Sequence, residues 1–94
     1  MYIPVLVVGA AVGRADVPAL ADRLGALLHD GGAGLVVCDV AAITEPDVGT
    51  LHVLTRLQLV ASRLGARMML RGAHGRLRGL VTLTGLDEVL PVVD

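Results

Sequence analysis

Residues Leu35 to Leu54, LVVCDVAAITEPDVGTLHVL, constrain what this chain can fold into more than any other stretch. Leu35 to Cys38 is an apolar run of strand length, and Asp39 closes it. Ala41 to Pro46 then reads as a connecting loop. Asp47 stands where a helix N-cap is wanted: its carboxylate can accept from the unpaired N–H groups of the first turn, and its charge suits the positive end of the helix dipole. A buried strand that passes through a short loop into a capped helix is half of a crossover unit. The loop-to-helix corner is where side chains can be presented to a ligand or partner.

The elements on either side continue that pattern. Tyr2 to Val8 reads as a first strand, with Pro4 at an edge or a strand start. Gly9 to Ala15 is a loop. Asp16 suits an N-cap for a helix beginning at Val17, and Pro18 is tolerated in its first turn. Val17, Leu20, Leu24, Leu27 and Leu28 recur at three- and four-residue spacing up to about His29, giving one face to bury. Gly31, Gly32 and Gly34 end this helix. The second helix runs from about Val48 to Leu64 and stops at Gly65. Leu51, Leu54, Gln58, Ala61 and Leu64 share a face that Leu57 and Val60 widen, so more than one side of it must be covered. Arg67 to Arg71 is a third strand, His74 to Thr84 a short third helix, and Glu88 to Val92 a closing segment. Strands separated by helices of this length predict βαβ crossovers and a largely parallel sheet in an α/β fold.

Size and chemistry limit the function. Ninety-four residues make one domain, residues 1–94, near the lower edge of what folds unaided. With 54% hydrophobic residues and Tyr2 as the sole aromatic, the interior must be aliphatic, which leaves no stacking platform for bases or sugars. A net charge of −1 argues against nucleic acid and a membrane surface. All eight basic residues are Arg, as a GC-rich genome would also produce. The lone Cys38 lies in the apolar strand and reads as a small core residue; one thiol forms no intramolecular disulfide, which fits a reducing, cytoplasmic compartment. Residues 1–13 lack a positively charged start and are interrupted by Pro4 and Gly9, so they read as mature structure rather than a signal peptide, and no apolar run can span a bilayer. The absence of a linker at either end favours a stand-alone domain.

No catalytic set can be assembled. His29, His52 and His74 fall in three separate helical regions without metal-ligand spacing, and they read as solvated. Gly9 to Gly13 lacks the spacing of a dinucleotide fingerprint and the Lys of a phosphate loop. Ser62 has no base beside it in sequence, and nothing resembles a nucleophile elbow. No cofactor or metal is expected. Arg71, Arg76 and Arg78, with His74, surround the third helix and read first as a solvated face, second as a basic patch for an acidic partner or anion. Leu77, Leu80, Val81 and Leu83 exceed a narrow stripe, leaving apolar surface for a partner or a second copy of the chain.

Taken in order, the initial strand, DVPALADRLGALL, LVVCDVAAIT, PDVGTLHVL, a helix ending ASRLGARMML, and LRGLVTLTGLDEVLPV resemble a STAS domain, the family of bacterial anti-sigma-factor antagonists. The likeness covers nearly the whole chain. Its most specific parts are Asp39 at a strand end, Asp47 at a helix start, the turn at Gly65, and TGLDEVL at Thr84 to Leu90. The resemblance implies a small mixed β-sheet with helices packed on one face, and phosphorylation-switched binding to a kinase-type anti-sigma factor that regulates transcription.

At the helix start the chain departs from that family. The usual motif is Asp, Ser, Ser or Thr, Gly, then an aliphatic residue, with phosphate taken by the serine after Asp. Here the residues are Asp47, Val48, Gly49, Thr50 and Leu51. Val48 has no hydroxyl. A phosphate there would add nearly two negative charges beside Asp47, so its loss leaves the surface permanently unmodified. Thr50 is the nearest hydroxyl, either a displaced phosphoacceptor or a threonine bonding its local backbone. Thr44 matches a loop threonine common in the family and reads as satisfying the loop. Asp47, Val48, Gly49 and Thr50 are thus the expected partner-binding residues. Three functional classes follow: a regulator that binds a kinase-type anti-sigma factor or related signalling protein, an assembly subunit of a membrane transporter complex or signalling scaffold, and, with little support, a small enzyme.

Overall fold

Alternation of short aliphatic strands with longer amphipathic segments leaves few ways to bury both, and the chain adopts the simplest of them. A computed structural model describes residues 2–31 and 34–93. Strand β1 (Val5–Val7) leads through a 3₁₀ turn (Arg14–Asp16) into helix α1 (Val17–Gly31). Strand β2 (Leu35–Asp39), helix α2 (Val48–Arg63), strand β3 (Arg67–Arg71), helix α3 (Gly75–Leu83) and strand β4 (Val92–Val93) follow. The strands lie in the order β1-β2-β3-β4, and every pairing among the described residues is parallel.

That order has a steric consequence. Each crossover steps to the next strand in the same direction, and right-handed crossovers that all step one way put every helix on the same side of the sheet. Burial follows suit. Leu6 of β1, Val36 and Cys38 of β2, and Met68 and Leu70 of β3 are fully buried beneath the helices. Their alternates, Val5, Val7, Leu35, Val37, Asp39, Arg67, Met69 and Arg71, occupy the other face and are half-buried or exposed. The α/β fold with helices on one face is the expected one. It is narrower in one respect: the resemblance implies a mixed sheet, whereas these pairings are all parallel.

The helices seal the core with the aliphatic stripes read from their spacing. Leu20, Leu24 and Leu28 of α1 are buried, with Val17 and Leu27 packed at the margin. On α2, Leu51, Leu54, Leu57 and Ala61 are buried, and so is Val53, because this helix packs against α1 as well as the sheet. Leu64, expected on that face, is instead 53% exposed, since the helix ends at Arg63 and Leu64 turns outward as its C-cap. Gln58 does not simply border the apolar face. Strand β4 covers only the far end of β3, and the Gln58 amide takes the vacant pairing positions: it donates to the Met68 and Val89 carbonyls, both at 2.7 Å, and accepts from the Met68 N–H at 2.8 Å. The half-buried Gln58 amide is thereby matched by three bonds.

Several expected boundaries shift. The first strand is Val5–Val7 rather than Tyr2 to Val8, although the Pro4 carbonyl accepts from Val37 N–H and Val8 N–H donates to Asp39, so pairing extends a residue each way. Asp16 does not stand free as the expected cap. It completes the 3₁₀ turn, and its carboxylate reaches back to accept from Gly13 N–H at 2.8 Å. Gly31 lies within α1 rather than ending it, and Gly32 falls outside the described residues. Gly34, at φ +69°, makes the turn into β2, and its carbonyl accepts from Arg67 N–H.

Candidate functional site

Ligands and partners of open α/β sheets meet the carboxyl ends of the strands, where loops lead into helix starts. At that end the β2–α2 connection is held from three directions. Asp39 closes β2 with one carboxylate oxygen accepting from Ala41 N–H at 3.0 Å and the other paired with the Arg71 guanidinium at 3.1 Å. The bond from the Ala41 amide, then that from Arg71, holds the Asp39 carboxyl below the usual carboxylate range. Val40 N–H donates to the Arg71 carbonyl, Ile43 N–H to the Val40 carbonyl, and the Ile43 side chain is buried. From β3, Gly72 turns away at φ +81° and lets Ala41 approach so closely that a Cβ at Gly72 would meet the Ala41 Cβ at 2.8 Å. His74 Nε2 lies 3.3 Å from the Ala41 carbonyl oxygen, to which it donates in the tautomer with the proton on that nitrogen.

This tethered loop delivers the start of α2 in a fixed pose. Asp47 is the N-cap, as its position predicts: its side chain accepts from Thr50 N–H at 2.9 Å. In return the Thr50 hydroxyl accepts from Asp47 N–H at 3.1 Å and donates to the same Asp47 carboxylate at 3.3 Å. The pair is a capping box in which threonine fills the third helical position usually taken by Glu or Gln. Gly49 lies between them, where a Cβ would sit 3.1 Å from the Asp47 carboxylate oxygen, so its lack of a side chain keeps the cap uncrowded. Thr50 is 5% exposed, whereas Val48 is 73% exposed and stands out from the first turn. Asp47 and Thr44 are exposed. The four residues Asp47 to Thr50 are therefore contiguous, but they do different things. Asp47 and Val48 face solvent; Thr50 closes the cap from below.

In sequence Arg71 and His74 read as part of a solvated basic face, and the fold gives both a holding role instead. The signal that could have identified Arg71 is its register: it is the β3 residue opposite Asp39 in a parallel pair. No comparable signal marks Gln58 or the Gly72–Ala41 contact, which depend on where three elements meet. Cys38 is buried one residue before Asp39; burial, aided by the neighbouring carboxylate, pushes its thiol up to about 12. Such a thiol is protonated and inert. On α3, Leu77 and Val81 go into the core while Leu83 is exposed. Among the described residues no group of three or more His, Cys, Asp and Glu could hold a metal ion, and no helix is long and apolar enough to cross a membrane.

A family model described as "Mlab, STAS domain" matches residues 3–93, all but three residues of the chain. The chain belongs to the STAS family. Among solved structures, that titled "NMR Structure of the protein TM1081" matches this STAS domain at a TM-score of 0.74 with 14% sequence identity, covering 96% of this chain and 72% of that one. At such low identity the likeness shows the shared fold alone. No curated protein matches the chain significantly. Family and fold agree with the resemblance drawn from the Asp39, Asp47, Gly65 and TGLDEVL positions, and a STAS domain is in general a module for protein interaction.

Proposed function

We propose that this STAS domain is a non-catalytic binding module whose docking surface is the start of α2, centred on Val48 and flanked by Asp47 and Gly49, and that this surface is not switched by phosphorylation. The observation that carries the reading is the contrast between two neighbours. Val48, at the position where the family resemblance places a phosphoserine, is 73% exposed and has no hydroxyl. Thr50, the nearest hydroxyl, is 5% exposed and bonded as both donor and acceptor within the cap. A kinase would have to open the first turn of α2 to reach it. An exposed valine beside a charged N-cap supplies an apolar contact with a polar rim, the usual make-up of an interface core.

By family resemblance the partner is a kinase-type anti-sigma factor or a related signalling protein, which this chain would engage as an antagonist to regulate transcription. A second reading, an assembly subunit of a membrane transporter complex or signalling scaffold, is favoured by the same missing hydroxyl, because permanent assembly needs no release step. Affinity purification of the tagged chain from its native lysate, with mass spectrometry of the partners, separates them. Recovery of a kinase-type anti-sigma factor supports the regulatory reading, and recovery of transporter or scaffold subunits supports the assembly reading. If no protein is enriched over a Val48→Glu control, the docking surface is wrongly assigned.

A further inference from the structure

Strand β1 lies at the edge of the sheet, and its ladder with β2 fixes which of its backbone groups are left over. The Pro4 carbonyl accepts from Val37 N–H at 2.9 Å, and Val8 N–H donates to the Asp39 carbonyl at 3.0 Å. Backbone groups alternate along a strand, so those of Pro4, Leu6 and Val8 turn towards β2. The N–H and C=O of Val5 and Val7 point outward, to a side where no strand lies among the described residues. Pro4 does not guard that side, because its missing N–H falls on the β2 side. Nor does charge, since residues 2–13 carry none. Beside this edge an open cleft of about 370 Å³ lies between β1 and α1. Val7 and Val12 line it from the strand and the following loop, Ala19 and Leu20 from the helix. Asp16 and Arg23 bracket the helical side, seven residues and so roughly 10 Å apart. The Asp16 carboxylate already accepts from Gly13 N–H, whereas Arg23 has no hydrogen bond or ion pair among the described residues.

We propose that this edge and cleft form a second docking surface, which takes an extended segment of a partner protein as a strand added to β1. The segment places an aliphatic side chain in the cleft and, two residues away, an acid against Arg23. Backbone chemistry chooses an extended occupant. Val5 and Val7 each offer a donor and an acceptor about 7 Å apart along the edge, a spacing that extended chain matches. A helix has spent its own backbone groups internally and cannot use them. Every second side chain of an added strand turns to the helix side, where the cleft has the size of a ligand pocket. Arg23 lies about 5 Å beyond Leu20 along α1, within reach of the next side chain but one of such a strand. Charge separates this occupant from a second copy of the chain, because residues 2–13 would supply a strand but no acid for Arg23. A short added strand buries less than about 1,200 Å², so the contact belongs to the transient class and is held by main-chain bonds rather than by area.

The test is selection of a phage-displayed library of random peptides on the full chain, followed by amide hydrogen exchange of the chain alone and with the most enriched peptide at saturation. The expected peptides share an aliphatic residue with Asp or Glu two places away and no Pro between them. The Val5 and Val7 amides are expected to exchange freely in the chain alone and to slow at least tenfold when the peptide is added. Arg23→Glu, a change at an exposed side chain that the core does not use, is expected to weaken peptide affinity at least fivefold with an unchanged circular dichroism spectrum. Selection that yields no peptide, or peptides without that pattern, overturns the proposal. So does protection of Val5 and Val7 in the chain alone, which pairing with a second copy would produce. Exchange that the peptide leaves unchanged, or an equally folded Arg23→Glu variant that binds as well as the parent, overturns it too.

Discussion

Asp39 ends β2 with its two carboxylate oxygens bonded to different partners, Ala41 N–H and Arg71, and both bonds favour the charged form. Its carboxyl is therefore more acidic in the folded chain than in the unfolded one. The stability this contributes is present above the unfolded carboxylate value, near 4, and is lost as pH falls through the folded value. Asp39→Asn is expected to flatten the acid limb of a stability-against-pH curve measured by urea unfolding. Cys38 has the opposite sign. Its thiol is held protonated up to about 12, so the thiol favours the fold below the ordinary range near 8.5 and ceases to as pH rises from there towards 12. In the native chain a thiol reagent is expected to label Cys38 only as fast as the fold opens. At the cap, Thr50→Val keeps the shape but removes the hydroxyl that serves Asp47 N–H, at a cost of about 1 kcal/mol. That corresponds to a fall in Tm of roughly 4–8 °C for a domain of this size. Partner affinity is expected to stay unchanged if Thr50 is a structural residue. Complete loss of binding with a normal Tm would give Thr50 a signalling role instead.

At the scale of elements, the spacing rules worked where a segment answers to one neighbour and failed where it answers to two or more. Strands β2 and β3 and the start of α2 were legible because apolar runs and the Asp47 cap are local signals. Gln58 reads in sequence as one more position on the α2 face. Its role appears only because the two-residue β4 leaves the Met68 N–H and carbonyl without a strand partner on that side of β3. Gln58→Met is expected to destabilise the domain by about 2–4 kcal/mol, since it leaves the Met68 backbone groups unpaired. Hydrogen exchange should accelerate at Met68 first. Two glycines with similar backbone angles make a sharper comparison. Gly65, at φ +77°, has open space where a Cβ would go, while Gly72, at φ +81°, faces Ala41. Gly65→Ala is expected to cost about 1 kcal/mol for the left-handed conformation alone. Gly72→Ala adds a steric clash and should cost about 2–4 kcal/mol, while also shifting the β2–α2 loop. Equal losses of stability in the two variants would remove the Gly72–Ala41 contact from the account.

For the molecule as a whole, one consequence of topology organises the rest. Same-direction crossovers place the described helices on one side, which buries an aliphatic core and leaves the alternate residues of β1–β3 half-buried or exposed on the other. The STAS architecture was legible in the sequence as an order of motifs, and the family match over residues 3–93 agrees with it. Strand order was not legible, because the alternation of strands and helices fits several sheet orders. At the proposed docking corner Asp47, Val48, Gly49 and Thr50 are contiguous in sequence, and only the packing separates exposed Val48 from buried Thr50. Asp39, Arg71, Gly72 and His74 then act together to fix the loop that presents this corner. The proposed role of this corner is to bind a partner through Val48. Its most direct test is the affinity of the partner recovered from the native lysate, measured by isothermal titration for the parent chain and for Val48→Glu, with equal folding established by circular dichroism. The exposed glutamate is expected to weaken binding by tenfold or more, about 1.4 kcal/mol. Equal affinities in two equally folded chains would contradict it.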